Sequence, residues 1–231
     1  MLRPLSLLNK ATAVTSDGEA GTVADLFFDD RDWTVRYLVI DIGGWLFGRK
    51  ILASPAAVRS VAWEKRRIGL DLTREQIERS PEIDTLKPIT RQREQELYIF
   101  YGWPAAWPAG GFTSVPPMPP PEYPLEPIGS MDDDLAAPAE HFEDPHLRRL
   151  AEARRCRLMA ADGDAGRVDD FLVEEAGWAI RSLVVAAGHA GRLVAVPAAR
   201  LGHPRWRERE LPVSLSLAEI DSLLEVGGKS E

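Results

Sequence analysis

The chain contains one sequence pattern twice. "GTVADLFFDDRDWTVRYLVID" runs from Gly21 to Asp41, and "GRVDDFLVEEAGWAIRSLVVA" runs from Gly166 to Ala186. The matched positions lie 145 residues apart, and they are Asp17 and Asp162, Gly18 and Gly163, Gly21 and Gly166, Asp25 and Asp170, Trp33 and Trp178, and Arg36 and Arg181. So many matches in one order indicate an internal duplication, and the chain must then fold as a pair of similar units.

The segment between the two copies has a different composition. Residues 104–127 read "PAAWPAGGFTSVPPMPPPEYPLEP", and an acidic stretch, "MDDDLAAPAEHFEDP", follows. Proline at this density prevents regular ladders and favours extended polyproline II. A connection of about forty residues without its own secondary structure argues for two domains. We predict a first domain at 1–107, a linker at 108–145 and a second domain at 146–231.

Each copy is predicted to be mainly β-strand. "TVADLFF" and "WTVRYLVI" are rich in β-branched and aromatic residues, and the polar "DDRD" between them predicts a hairpin. Asp17-Gly18 and Asp162-Gly163 predict tight turns, since Asp-Gly accepts a positive φ. Thr73-Arg74-Glu75-Gln76 and Ser216-Leu217-Ala218-Glu219 predict capping boxes that open short helices. The first copy alone continues into a predicted helix after Thr90, whose aromatic residues include Tyr98, Tyr101 and Trp103.

"DGEAGTVADLFFDDRDWTVRYLVIDIGGWLFGRKILASPAAV" resembles the PRC-barrel domain. This family is named for the cytoplasmic part of the photosynthetic reaction-centre H subunit, and it includes the C-terminal domain of a ribosome maturation factor. The second copy keeps most of the pattern but has the shorter "AAGHAGRLV" in place of "DIGGWLFGRKIL". The resemblance implies two small β-barrels in tandem, in a bacterial protein. The resembling positions of the first copy are Asp17, Gly18, Gly21, Val23, Asp25, Trp33, Arg36–Val39 and Pro55.

Composition narrows the class of protein. The 231 residues carry a formal net charge of −8, so the chain as a whole is a poor general binder of DNA or RNA. Cys156 is the single cysteine, which excludes an internal disulfide and fits a reducing compartment. No stretch approaches the ~20 apolar residues of a membrane-spanning helix. We expect a cytoplasmic protein with at most indirect contact with a membrane.

No set of residues predicts catalysis. The four histidines lack ligand spacing, and Asp132-Asp133-Asp134 lacks the glycine and glutamate of a calcium loop. Cys156 lies among arginines that can lower a thiol pKa, but no base is paired with it. We therefore expect no catalytic, cofactor or metal site and predict a non-enzymatic interaction or scaffold module. Two alternatives stay open: an auxiliary subunit of a photosynthetic electron-transfer complex, and an RNA-linked assembly factor.

The repeated charged residues predict contacts within each hairpin, and the apolar faces predict how the two units pack. If "DDRD" is a four-residue loop, Asp25 lies opposite Arg36, and the same register places Asp170 opposite Arg181. Both faces of the first hairpin are apolar, although a barrel buries only one in its interior. We therefore expect the two barrels to pack as a pseudo-symmetric pair, or the chain to bind a protein partner or itself. The predicted interaction surface comprises Trp33, Val35, Tyr98, Tyr101 and Trp103.

Overall fold

The first half of the chain folds into short strands. The computed structural model describes residues 1–43, 49–81, 97, 99–102, 146–188 and 191–226. Helix α1 (Arg74–Arg79) ends the strand region, and 3-10 turns occupy Leu5–Leu8 and Pro55–Ala57. The strands are β1 (Leu2–Pro4), β2 (Thr12–Thr15), β3 (Gly18–Asp29), β4 (Thr34–Asp41), β5 (Lys50–Ala53), β6 (Val58–Ala62) and β7 (Arg67–Leu70).

The second half repeats this order except that, among the described residues, no strand corresponds to β6. A 3-10 turn occupies Ala198–Arg200, in the place that Pro55–Ala57 takes in the first half. Its elements are β8 (Leu147–Arg149), α2 (Leu150–Ala153), β9 (Arg157–Ala160), β10 (Gly163–Glu174), β11 (Ile180–Ala187), β12 (Arg192–Pro197), β13 (Glu210–Pro212) and α3 (Leu217–Asp221).

The described residues form two sheets, which confirms the predicted mainly β class. One sheet has the strand order β5-β4-β3-β2-β7-β6, and the other has the order β12-β11-β10-β9-β13. Neighbouring strands are antiparallel except for β2 with β7 and β9 with β13. A short hairpin therefore joins β2 to β3 and β9 to β10, whereas the chain returns from β7 to lie beside β2.

The first strand of each half pairs with a strand in the sheet of the other half. Strand β1 pairs with β10, so that Leu2 lies opposite Glu174. Strand β8 pairs with β3, so that Leu147 lies opposite Asp29. The two contacts are equivalent under the 145-residue repeat. Domain boundaries drawn along the sequence therefore do not coincide with the two sheets.

Glycine is required where β3 and β10 approach their neighbours. A Cβ atom on Gly21 would lie 2.1 Å from the carbonyl oxygen of Asp41, and one on Gly166 would lie 2.1 Å from that of Ala186. Gly166 also has a φ of +119°, which an L side chain rarely adopts. The repeated glycines thus let the long strands pass close to β4 and β11.

Two bulges in each long hairpin change the register that the sequence predicts. Asp25 lies opposite Val39 rather than Arg36, and Asp170 lies opposite Val184 rather than Arg181. The register shifts between Val23 and Asp25 and again between Phe27 and Phe28, with matching shifts in β10. The four-residue loop is also 30–33 rather than 29–32. The predicted opposition of the repeated charges is therefore wrong, because bulges insert residues into one strand only.

The bulges also redistribute the apolar side chains of β3. Strict alternation predicts Val23 and Phe27 on one face, but Val23 packs in the large cluster that both halves share, and Phe27 packs in a separate small one. The large cluster joins Phe28 to Phe171, whose ring centroids lie 6.2 Å apart. One continuous core therefore contains side chains from both sheets.

Candidate functional site

The candidate site is the junction where the exchanged strands, β1 and β8, enter the opposite sheet. Asp25 is buried there and accepts hydrogen bonds from Arg149 Nε at 2.8 Å and from the backbone N–H of Ala151 at 3.3 Å. Asp170 is its counterpart and accepts from the N–H of Ser6 at 3.0 Å. Each repeated aspartate therefore holds the turn that follows the exchanged strand of the other half.

The arginine that pairs with the buried aspartate comes from a different position in each half. Arg154 Nη2 donates to Asp170 Oδ1 at 2.7 Å, whereas Asp25 takes its cation from Arg149. Neither arginine belongs to the repeated pattern, because Pro4 and Asn9 stand 145 residues before them. Sequence comparison of the copies therefore identifies the carboxylates but not their partners.

The repeated arginines make local surface contacts instead. Arg36 pairs with Asp32 at 2.5 Å and with Asp29 at 3.6 Å. Arg181 pairs with Glu174 at 2.5 Å. Both arginines are the inserted residues of the second bulge, and this position turns them toward the loop end of the hairpin rather than across it.

Asp29 forms the buried member of a small charge cluster. Burial raises its pKa, but the hydrogen bonds from Arg31 and the nearby Arg36 outweigh burial, so the pKa lies below its ordinary value. The shortest contact joins Arg31 Nη2 to Asp29 Oδ2 at 2.6 Å. The carboxylate of Asp29 is therefore held in its charged form at neutral pH.

A second carboxylate, Asp30, ties the first hairpin to the second half. Trp206 Nε1 donates to Asp30 Oδ2 at 2.6 Å, and His146 Nδ1 lies 3.0 Å from Asp30 Oδ1. The guanidinium carbon of Arg148 lies 5.1 Å from the centre of the Trp206 ring. Asp30 lies inside "DDRD", where sequence reasoning expects only a polar loop, so this contact was missed.

Trp33 and Val35 lie at the junction, not on a free surface. The carbonyl of Trp33 accepts from the N–H of Ile180 at 2.7 Å, and the N–H of Val35 donates to the carbonyl of Trp178 at 2.9 Å. Trp33 is 8% exposed and Val35 is 2% exposed. The second half covers both residues, so the part of the predicted interaction surface that they form is used within the chain.

The remaining residues of that predicted surface belong to the tail. Tyr101 is helical, partly buried, and packed against the small cluster that contains Phe27 and Leu97. Burial raises the pKa of Tyr101, and Ser80 and Arg49 oppose this shift. Tyr98, Trp103 and the predicted helix start at Thr90 lie outside the described residues.

The predicted turn aspartates bind the short helices. Asp17 accepts from the N–H of Arg74 at 3.0 Å, and Asp162 accepts from the N–H of Leu217 at 2.8 Å. The turn residues proper are Ser16 and Asp17, with Gly18 already in β3 at a φ of +143°. Gly163, with a φ of +159°, opens β10 in the same way. Both predicted capping boxes are confirmed.

The C-terminal ends of helices α1 and α3 both accept hydrogen bonds from an arginine side chain. Arg49 donates to the carbonyl of Glu78 at 2.8 Å and to that of Ser80. Arg192 is the first residue of β12, whereas Arg49 directly precedes β5, and Arg192 donates to the carbonyl of Asp221. Cations suit helix C-termini because the last carbonyls lack intrahelical donors. The signal was available in the sequence, since "GRKIL" and "GRLVA" both carry the arginine.

Cys156 does not have the properties of a reactive thiol. It is fully buried, and burial together with Glu152 raises its pKa to about 11, against the opposing effect of Arg209. The neighbouring arginines therefore do not activate it, in contrast to what their sequence proximity suggests. Among the described residues, no group of His, Cys, Asp and Glu is placed to hold a metal ion. His141, His189 and Asp132–Asp134 lie outside that part of the chain.

Two cavities lie where the halves meet. One of about 260 Å³ lies between β3 and α2 and includes Leu5, Asp25 and Arg154 in its lining. The other, of about 230 Å³, lies between the edge strand β6 and the end of β10 and includes Trp63 and Trp178. Both are below the ~300 Å³ at which pockets begin to enclose a drug-sized ligand. They are sized for side chains rather than for a large cofactor.

A family comparison matches part of the first half. Residues 5–77 match the family model of the PRC-barrel domain. The match supports a PRC-barrel domain from the 3-10 turn after β1 to the middle of α1. No curated protein matches the chain. Within the described residues, none of the helices combines the length and apolar character needed to cross a membrane.

Proposed function

We propose that the chain is a non-enzymatic protein-interaction module in which two PRC-barrel units act as one exchanged pair. The observation that carries the proposal is the reciprocal exchange of β1 and β8. PRC-barrel domains suggest interaction modules, and exchange fixes two such units against each other. A fixed pair presents one composite surface, as a dimer of single units would.

The assignment of the second unit rests on equivalent contacts. Strands β3 and β10 are both twelve residues long, and Trp33 and Trp178 both have a φ of 56°. The aspartate contacts with Ser6 and Ala151 are related by the same 145-residue spacing. These matches extend the PRC-barrel interpretation from residues 5–77 to the second half.

The chemistry of the junction favours a structural role for its charged residues. Asp25, Asp30 and Asp170 each accept hydrogen bonds from the opposite half. Carboxylates engaged in this way hold the two halves together. This supports an interaction module over a hydrolase or transferase, and it leaves the photosynthetic and RNA-linked alternatives to be decided by the partner.

The test is isolation of the chain in its native state. The full chain, tagged at its own chromosomal locus, is purified and analysed by size-exclusion chromatography with light scattering. We expect a complex heavier than the 25.6 kDa chain that contains a defined protein in fixed stoichiometry. The control is the same tag on a chain that lacks residues 1–8, in which the exchanged pair is broken.

The opposite outcome is equally specific. A chain that elutes alone, and that turns over a substrate in a hydrolase and transferase screen, would contradict the proposal if one substitution abolished turnover. A ribosomal particle or a bacteriochlorophyll complex as the partner would instead select one of the two alternatives.

A further inference from the structure

We infer that the surface around the cavity between β3 and α2 binds an acidic, extended protein segment that carries one large apolar side chain. This inference rests on the proposed interaction function and specifies the chemistry of the partner. Its basis is an apolar cavity beside cations that have no ion pair in the part of the chain that the structure describes.

The cations come from equivalent positions of the two halves. Lys10 and Arg155 are 145 residues apart, and both are exposed. The N–H of Lys10 donates to the carbonyl of Val23 at 2.9 Å, and both Val23 and Arg155 line the cavity. Among the described residues, neither side chain has an ion pair or a hydrogen bond. The two cations therefore lie beside the same opening.

Two further arginines extend this surface. The carbonyl of Arg66 accepts from the N–H of Thr12 at 2.8 Å, and that of Arg209 accepts from Arg157 at 2.9 Å. The donors of these two bonds, Thr12 and Arg157, lie two residues after Lys10 and Arg155 in the sequence. Arg66 and Arg209 are also exposed and have no ion pair within the part of the chain that the structure describes.

The local balance of charge stays positive when the carboxylates are included. Asp25 lines the cavity, but Arg149 neutralises it, and Arg154 neutralises Asp170. Glu152 and Glu208 are the nearby carboxylates without an ion pair among the described residues. Four cations therefore outnumber two such carboxylates, and this surface attracts anions. We call Lys10, Arg66, Arg155 and Arg209 the basic surface.

The acidic net charge of the chain does not oppose this inference. Residues 103–145 contain eight Asp and Glu residues and no Lys or Arg. The formal charge of −8 therefore equals the charge of that segment, and the rest of the chain is neutral in sum. The charge of the whole chain is thus a poor guide to this face.

The lining of the cavity favours an acidic protein segment over a nucleic acid as the ligand. Leu5, Val23, Leu26 and Leu150 line it, and about 260 Å³ accommodates a large side chain. Beside them, the buried Nε of Arg154 has no hydrogen-bond acceptor among the described residues. An amphipathic acidic peptide supplies both an apolar side chain for the cavity and carboxylates for the basic surface. A single-stranded nucleic acid supplies phosphates and bases that stack on aromatic rings, and none of the described residues that line this cavity is aromatic.

The test uses a fluorescein-labelled peptide of sequence EDEFDED and the full chain, with binding followed by fluorescence anisotropy. We expect salt-sensitive binding that weakens about tenfold when the peptide phenylalanine is replaced by serine, because a buried aromatic side chain is lost. The double variant Lys10→Ala/Arg155→Ala should weaken binding about fivefold to tenfold. Arg59→Ala is the matched control and should bind normally, since Arg59 is exposed, has no ion pair with any described residue and lines the other cavity.

The competitors are a uridine 12-mer and vesicles that contain phosphatidylglycerol. Stronger binding of either one than of the peptide would overturn the inference in favour of RNA or an anionic membrane. Binding is repeated in a chain in which Asp132, Asp133 and Asp134 are changed to Asn, to remove competition from the protein's own acidic segment. No peptide binding in either chain would also overturn it. If a native partner binds the Lys10→Ala/Arg155→Ala variant as tightly as the natural chain, the inference about this surface is wrong, while the proposed function still stands.

Discussion

Replacing Asp25 by alanine should destabilise the protein by about 2–3 kcal/mol. The side chain accepts from Arg149 Nε at 2.8 Å and from the N–H groups of Leu26 and Ala151 at 2.9 and 3.3 Å. Hydrogen bonds to a charged group contribute about 1.5–3 kcal/mol. A fully buried ion pair costs about 3–5 kcal/mol to break, but the side chain of Arg149 is 34% exposed and water would partly solvate it. The upper value is therefore not reached.

The measurement is urea unfolding followed by circular dichroism and tryptophan fluorescence. Asp170→Ala should lose a similar free energy, because its contacts with Ser6 and Arg154 are equivalent. Glu75→Ala is the control: Glu75 and Arg79 form an exposed pair on α1, and its loss should change stability by less than about 0.5 kcal/mol. If all three variants unfold within about 0.5 kcal/mol of one another, the two repeated aspartates do not hold the halves together.

Three other predictions follow from the same contacts. Cleavage at a protease site inserted in the linker should leave two fragments that co-elute, and additional deletion of residues 1–8 should separate them, since Leu5 and Leu8 are fully buried. The pKa of Asp29 is lowered by folding, so its stabilisation exists above the unfolded pKa of ~3.9 and disappears as pH falls through the folded pKa. Asp29→Asn should therefore be about 1 kcal/mol less stable than the natural chain at pH 6 and equally stable near pH 2. Cys156 should resist iodoacetamide at pH 8 until urea unfolds the chain, because its folded pKa is about 11; rapid alkylation of the folded protein would contradict that environment.

The sequence predicted the strands and helix caps because those signals are local. β-branched and aromatic runs form β3 and β4, and the boxes at Thr73 and Ser216 form as expected. Each of these features depends on neighbours within a few residues. A pattern of side chains is sufficient to identify them.

The register and the partners of the repeated charges depend on features that no local pattern shows. A bulge adds one residue to one strand, so Asp25 lies opposite Val39 although the predicted loop length of four residues was correct. Arg149 reaches Asp25 only because β8 crosses into the first sheet. The sequence showed that the face carrying Trp33 needs cover, but it did not show that Ile180 and Trp178 would supply the backbone contacts.

The strand exchange also sets when the first half can finish folding during synthesis. Leu2 pairs with Glu174, so a contact of the first strand waits until more than 170 further residues have been made. Such distant pairings slow folding because a long loop must close before the contact forms. The 3-10 turn that carries Leu5 and Leu8 contacts β10, so this segment completes its packing only after β10 emerges from the ribosome. In a nascent chain truncated before β10, residues 1–8 should therefore remain sensitive to proteases.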